Sequence, residues 1–144
     1  MTQALSSRAW YLLLFAWLVA LVSTLAALFI GEVLGQQPCV LCWYQRILMF
    51  PLAILLAIAC FRSDFEIWRY ALPLSVIGGL FALGHSLLYA GIIPQQIQPC
   101  SPTGPSCTDA NTTLFGVIPL PFLALLAFIL ISATLLIVRR RTTP

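Results

Sequence analysis

The sequence predicts an all-α, polytopic membrane protein, a bundle of four transmembrane helices with both termini cytoplasmic. Three observations carry this. Hydrophobic residues make up 61% of the 144 residues and charged residues only 8%, an excess of apolar surface that so small a globule has no interior to hide. Ala9 to Gly31, Tyr70 to Thr108 and Ala110 to Val138 contain no Asp, Glu, Lys or Arg, and each run exceeds the roughly 20 helical residues needed to cross a hydrocarbon core of about 30 Å. The basic residues are all arginine, and all but Arg46 fall on one side of the resulting spans.

The first span, 9–31, is too long for the apolar part of a cleaved signal, which runs to roughly 7–15 residues. No small-residue cleavage site follows Ile30, so it is kept as a helix. The second is less obvious. Ile47 to Phe61 gives only 15 residues between Arg46 and Arg62, roughly 22 Å of helix at about 1.5 Å per residue. Extension back to Cys39 restores membrane length, giving a span 39–61 with Arg46 inside it. The third span, 71–93, carries a small-residue stripe at Gly78, Ala82 and Ser86, which favours close approach of a neighbouring helix. The fourth, 117–138, opens at Pro119 and Pro121.

Arg8, Arg62, Arg69 and Arg139 to Arg141 then share one side, which the positive-inside rule assigns to the cytoplasm. The net charge of +3 is this topological signal rather than a nucleic-acid footprint. Outer loops are expected at 32–38 and 94–116, and residues 1–144 form a single membrane domain. Trp10, Tyr11, Trp43, Tyr44, Trp68, Tyr70 and Tyr89 lie near span ends, as an aromatic belt requires.

Four of the five cysteines fall at the outer side, where disulfides persist. Cys39 and Cys42 open the second helix, in Pro38-Cys39-Val40-Leu41-Cys42-Trp43-Tyr44-Gln45-Arg46. Pro38 suits a first helical turn, where its missing N–H has no intrahelical partner. The N–H groups and dipole of a helix start favour a thiolate over a thiol. Arg46 lies four residues beyond Cys42, and Cys42 three beyond Cys39, so the three share one helical face. A static staple stabilises mainly by closing a long loop, and this bridge closes almost none. Zinc held by four cysteines is the other structural reading, but C-x6-C is not the usual second half of such a site. The pair reads as redox-active, and no resident metal is expected.

Cys100 and Cys107 bracket a segment rich in Pro, Gly and Ser, hence irregular. Taken alone, that pair reads as a small structural bridge. Beside a reactive C-x-x-C on the same face, it reads as the other half of an exchange relay through mixed disulfides. Cys60, near the cytoplasmic end of the second span, reads as a small buried hydrophobe.

A disulfide that is reduced needs an electron acceptor. The chain has no C-x-x-C-H haem site, no Rossmann glycine pattern and one histidine. A lipid-soluble quinone requires none of these, only an apolar slot near the C-x-x-C and donors for its carbonyls. Arg46 and His85, ionisable residues inside spans, are the candidates. Counted along their helices, Arg46 is roughly 10 Å below Cys39 and His85 roughly 12 Å below Ile93, so the two depths agree. An interhelical hydrogen bond is the alternative for His85, and snorkelling to the interface for Arg46.

Cys39-Val40-Leu41-Cys42-Trp43-Tyr44-Gln45-Arg46, four spans and a second cysteine pair between helices 3 and 4 resemble the DsbB/BdbC family of disulfide bond formation proteins over nearly the whole chain. The Cys100–Cys107 spacing is shorter than in the proteobacterial prototype and nearer the compact Gram-positive form. The resemblance implies a four-helix bundle in the bacterial inner membrane, a ubiquinone or menaquinone cofactor, and a thioredoxin-like (DsbA-like) thiol oxidase as extracytoplasmic partner. It implies that Cys39 and Cys42 are the quinone-facing pair with Cys42 next to the quinone, and that Arg46 and His85 belong to the quinone site. It also implies that Cys100 exchanges with the partner and Cys107 crosses to Cys39.

The expected activity is that of a protein-dithiol:quinone oxidoreductase supporting disulfide formation in exported proteins. A tetraspan with purely structural disulfides is the alternative. A vitamin K epoxide reductase-like protein would carry its C-x-x-C on a late helix, after the loop cysteines. A metal-handling protein would carry more ligands than one His and two Met.

Overall fold

The computed structural model describes residues 2–93, 113–114 and 118–142. Among these, four α-helices dominate: α1 (Thr2–Leu28), α2 (Val40–Arg62), α3 (Trp68–Tyr89) and α4 (Leu120–Thr142). All four are long and apolar enough to cross a membrane, and the protein is a multi-pass membrane protein. The only strands among the described residues, β1 (Thr113–Leu114) and β2 (Ile118–Pro119), pair antiparallel just before α4.

In hydrocarbon every backbone N–H and C=O must be satisfied within the chain, which leaves helices as the economical solution. The helices follow one another around the bundle, with α1 on α2, α2 on α3, α3 on α4 and α4 back on α1. Each divides its residues between lipid and core by the 3.6-residue period. On α1, Ala9, Leu13, Ala16 and Ala20 are buried, whereas Tyr11, Phe15, Leu18, Val22 and Leu25 are exposed. The core joins Leu13, Ala16 and Ala20 to Met49, Leu52 and Leu56 of α2, to Ala71 and Ala82 of α3, and to Phe128, Ile131 and Leu135 of α4.

The small-residue stripe of α3 is used differently from a backbone-to-backbone groove. The Phe128 ring of α4 fills the space that a Gly78 side chain would take. Ser75 Oγ donates to the Phe128 carbonyl (3.2 Å) and lies 2.8 Å from Ser132 Oγ. Ser86 turns its hydroxyl back to the Ala82 carbonyl of its own helix. Pro51 and Pro73 lie inside α2 and α3, and each removes one i→i−4 hydrogen bond.

Helix ends have local causes. Ser63, in the left-handed region at φ 53°, stops α2 and returns its N–H to the Ala59 and Cys60 carbonyls. Asp64 then accepts from the Glu66 N–H, and a single 3₁₀ turn, Phe65–Ile67, leads into α3. At this arginine-bearing end the Arg139 guanidinium sits 4.8 Å from the centroid of the Trp68 ring and that of Arg69 5.7 Å. The Trp10 indole donates to the Cys60 carbonyl at 3.1 Å. At the opposite end α3 stops at Tyr89, and Gly91 takes a positive φ of 74°, a conformation that costs glycine little.

Candidate functional site

The site lies at the end of the bundle where α1 and α3 finish and α2 and α4 begin. Cys39 is the N-cap of α2, with extended backbone (φ −67°, ψ 168°), and its sulfur accepts from the Cys42 N–H at 3.4 Å. Pro38 therefore lies one residue outside the cap rather than in the first turn. The capping geometry turns both sulfurs inward, and they stand 2.9 Å apart. Cys39 is 2% exposed, and Cys42 is half-buried.

His85 of α3 approaches from across the bundle. Its Nε2 is 3.8 Å from Cys39 Sγ, and its Nδ1 is 3.2 Å from the Gln45 amide nitrogen. When that amide donates to Nδ1, the ring's remaining proton is on Nε2 and faces the Cys39 sulfur. His85 thus touches the cysteine pair and also lines the cavity that Arg46 reaches. Because α3 ends at Tyr89, His85 is one turn, about 6 Å, from the helix end.

Arg46 is held by α1. Its Nη2 donates to the Ala27 carbonyl at 2.7 Å, so the guanidinium is bonded within the protein rather than extended to the interface. Just beyond Ala27, α1 widens into a π-helical turn, Phe29–Val33, a feature that recurs at functional sites. Within this turn lies Gly31. A Cβ there would meet Arg46 Nη1 and Nη2 at 3.1 and 3.2 Å, so the missing side chain makes the guanidinium's seat.

These groups meet at a cavity of about 320 Å³. Cys42, Gln45, Arg46 and His85 supply its polar edge, and Ile30, Met49, Leu123 and Phe128 belong to its apolar wall. Trp43 and Tyr44 are exposed and do not line it; Tyr44 stacks on Phe81 instead. Cys60 is buried near the far end of α2. Of the candidates read from sequence, the structure brings together Cys39, Cys42, Arg46 and His85. Cys100 and Cys107 lie outside the described residues.

Two residues of the site escape a reading of the sequence. Gln45 had a signal, since an amide inside a span needs a partner across the bundle. Gly31 had none, because its role depends on where another helix delivers Arg46.

The profile of the family described as disulfide bond formation protein DsbB matches residues 7–138. Curated relatives carry similar names. A probable disulfide formation protein of Metapseudomonas resinovorans is 69% identical over 96% of each chain. One from Coxiella burnetii is 44% identical over 85% of this chain and 83% of its own. The disulfide bond formation protein C of Bacillus subtilis is 43% identical over 81% of this chain and 83% of its own. No solved structure matches. With this extent of match, and a close cysteine pair at the head of a membrane helix, the chain belongs to the DsbB family of disulfide bond formation proteins.

Proposed function

We propose that this protein is a thiol:quinone oxidoreductase of the bacterial inner membrane, with both termini cytoplasmic and its active cysteines on the extracytoplasmic face. The observation that carries the reading is the shared cavity: Cys42, Arg46 and His85 line one apolar recess of about 320 Å³, within the range of small-molecule sites. The donor set fits a quinone head, with one thiol, one guanidinium, one imidazole, the Gln45 amide and the Ser23 hydroxyl on a mostly apolar wall. A quinone bound there, ubiquinone or menaquinone, supplies a two-electron acceptor.

The chain's own residues do the rest. A reduced thioredoxin-like (DsbA-like) partner attacks the Cys100–Cys107 disulfide, forms a mixed disulfide at Cys100 and leaves oxidised. The Cys107 thiolate then attacks Cys39 and opens the Cys39–Cys42 bridge; closure of Cys100 onto Cys107 releases Cys39 and completes the transfer. Cys42, on the cavity wall, delivers the electron pair. Arg46, fixed by Ala27, presents donors to a carbonyl oxygen. His85, between Cys39 and the cavity, moves protons off the dithiol. In sum, a partner dithiol and a quinone become a partner disulfide and a quinol, with two electrons and two protons transferred.

The test is quinone reduction by the purified protein with a reduced thioredoxin-like dithiol. Turnover that is lost in Cys100→Ala supports the relay. Absence of turnover with ubiquinone and menaquinone analogues, and with more than one partner, would leave the tetraspan with structural disulfides. A second expectation concerns Arg46. Loss of a hydrogen bond to a charged group costs about 1.5–3 kcal/mol, so Arg46→Ala raises the KM for quinone roughly 10- to 100-fold. Gly31→Ala, which displaces the guanidinium by a few tenths of an ångström, raises it less. An unchanged KM in Arg46→Ala removes the arginine from the quinone site.

A further inference from the structure

The same geometry supports a second kind of binding, with a different ligand. We propose that the reduced Cys39–Cys42 pair and His85 form a site for a thiophilic divalent cation such as Zn²⁺, which captures the dithiol and excludes its disulfide form.

The ligand atoms of Cys39, Cys42 and His85 all lie within 4.8 Å of one another. At metal–sulfur distances of about 2.3 Å and metal–nitrogen distances of about 2.0 Å, tetrahedral ligands stand roughly 3.5–3.8 Å apart. Cys39 Sγ and His85 Nε2 already stand at 3.8 Å, and the two sulfurs at 2.9 Å. A separation of the sulfurs by about one ångström, a modest χ1 rotation of Cys42, completes the three-ligand arrangement. The fourth position then faces the cavity that Cys42 and His85 line, and is left for water.

Charge favours this complex over a bare pair of thiolates. Binding releases two protons, and two thiolates with a neutral imidazole around a divalent ion sum to zero, the form least penalised by a low-dielectric surrounding. Arg46, on the same cavity, carries the nearest positive charge and is bonded to the Ala27 carbonyl. No carboxylate belongs to the cluster among the described residues, which selects soft cations over magnesium or calcium. Gln45, whose amide nitrogen lies 3.2 Å from His85 Nδ1, stands where a second-sphere partner is needed. With its amide turned so that oxygen faces the ring, Gln45 accepts from His85 Nδ1–H and leaves Nε2 free for the metal, the arrangement that orients metal-bound histidines.

The step balances as two thiols plus M²⁺ giving a dithiolate complex plus two protons, with no change in oxidation state. Formation of the Cys39–Cys42 disulfide removes both sulfur ligands, so oxidation and metal binding exclude each other. The site does not depend on the proposed quinone reaction, and its occupancy is read without turnover.

Co²⁺ is the probe, because thiolate-to-cobalt charge transfer and tetrahedral ligand-field bands report its surroundings. The full chain carrying Cys100→Ser and Cys107→Ser, reduced and in detergent, should bind one equivalent of Co²⁺ with thiolate bands, displaced by Zn²⁺. Oxidation of the same protein to the Cys39–Cys42 disulfide should abolish the bands, a control that needs no further substitution. Gln45→Leu should weaken binding roughly 10-fold, and His85→Ala more than that, with helicity checked by circular dichroism. Bands that persist after oxidation, affinity unchanged in His85→Ala, or no thiolate–cobalt band in the reduced protein would each overturn the proposal.

Discussion

Replacement of Cys42 by alanine is expected to lower quinone reduction by at least about a thousandfold, the scale seen when the reacting nucleophile of an enzyme is removed. The loss should fall on kcat, because the cavity keeps Arg46, His85 and its apolar wall. Helix content should not change: Cys42 lies in the first turn of α2, and the capping sulfur is that of Cys39. Cys60→Ala is the matched control. Its thiol is buried near the other end of the same helix, so it should turn over within about twofold of the parent, surface and core changes away from a site leaving the chemistry intact. Quinone absorbance followed in both variants decides the matter. Appreciable turnover in Cys42→Ala would remove this sulfur from the electron path.

The largest effect on stability is expected at Gly78. A Cβ at this position falls within the volume of the Phe128 ring, and Phe128 is buried at 1% exposure, so the ring has to leave its seat in the core. Overpacking of this kind costs about 1–3 kcal/mol, so Gly78→Ala should melt at a clearly lower temperature in detergent. Phe128→Leu in the same chain should restore part of the loss. The two substitutions should be non-additive by roughly 0.5–3 kcal/mol, as expected for residues in direct contact. Phe128 also belongs to the cavity wall, so the displaced ring should weaken quinone binding as well. Equal stability of Gly78→Ala and the parent would mean that the α3–α4 contact is looser than described.

The architecture was legible because the bilayer leaves so few options. Charge-free runs identify three of the spans, the length requirement supplies the fourth across Arg46, and within a span the backbone has only the helix. The C-x-x-C with Arg46 was legible for a similar reason, since one helix fixes which of its residues share a face. What crosses between helices was not. That the Nδ1 of His85 lies against Gln45 while its Nε2 faces Cys39 depends on where α3 ends. That end is set by a positive-φ glycine at position 91. The stripe at Gly78, Ala82 and Ser86 was visible as spacing, but spacing does not say whether a helix backbone or a phenyl ring will fill it. The π-helical turn at Phe29–Val33 left no mark in composition or period.

The bond from Arg46 to the Ala27 carbonyl also bears on how the chain enters a bilayer. Among the four helices α2 carries a guanidinium inside the span, a group whose burial costs up to about 3 kcal/mol at a helix centre, and a proline in its interior. The helix made just before it offers the acceptor that offsets this cost. Because α1 is made first, α1 and α2 are expected to enter lipid together as a hairpin, with the Arg46 charge covered by the Ala27 carbonyl; an α2 that inserts equally well without α1 would overturn this. On that expectation, the residue that lines the cavity in the finished protein would also tie the second span to the first during biogenesis.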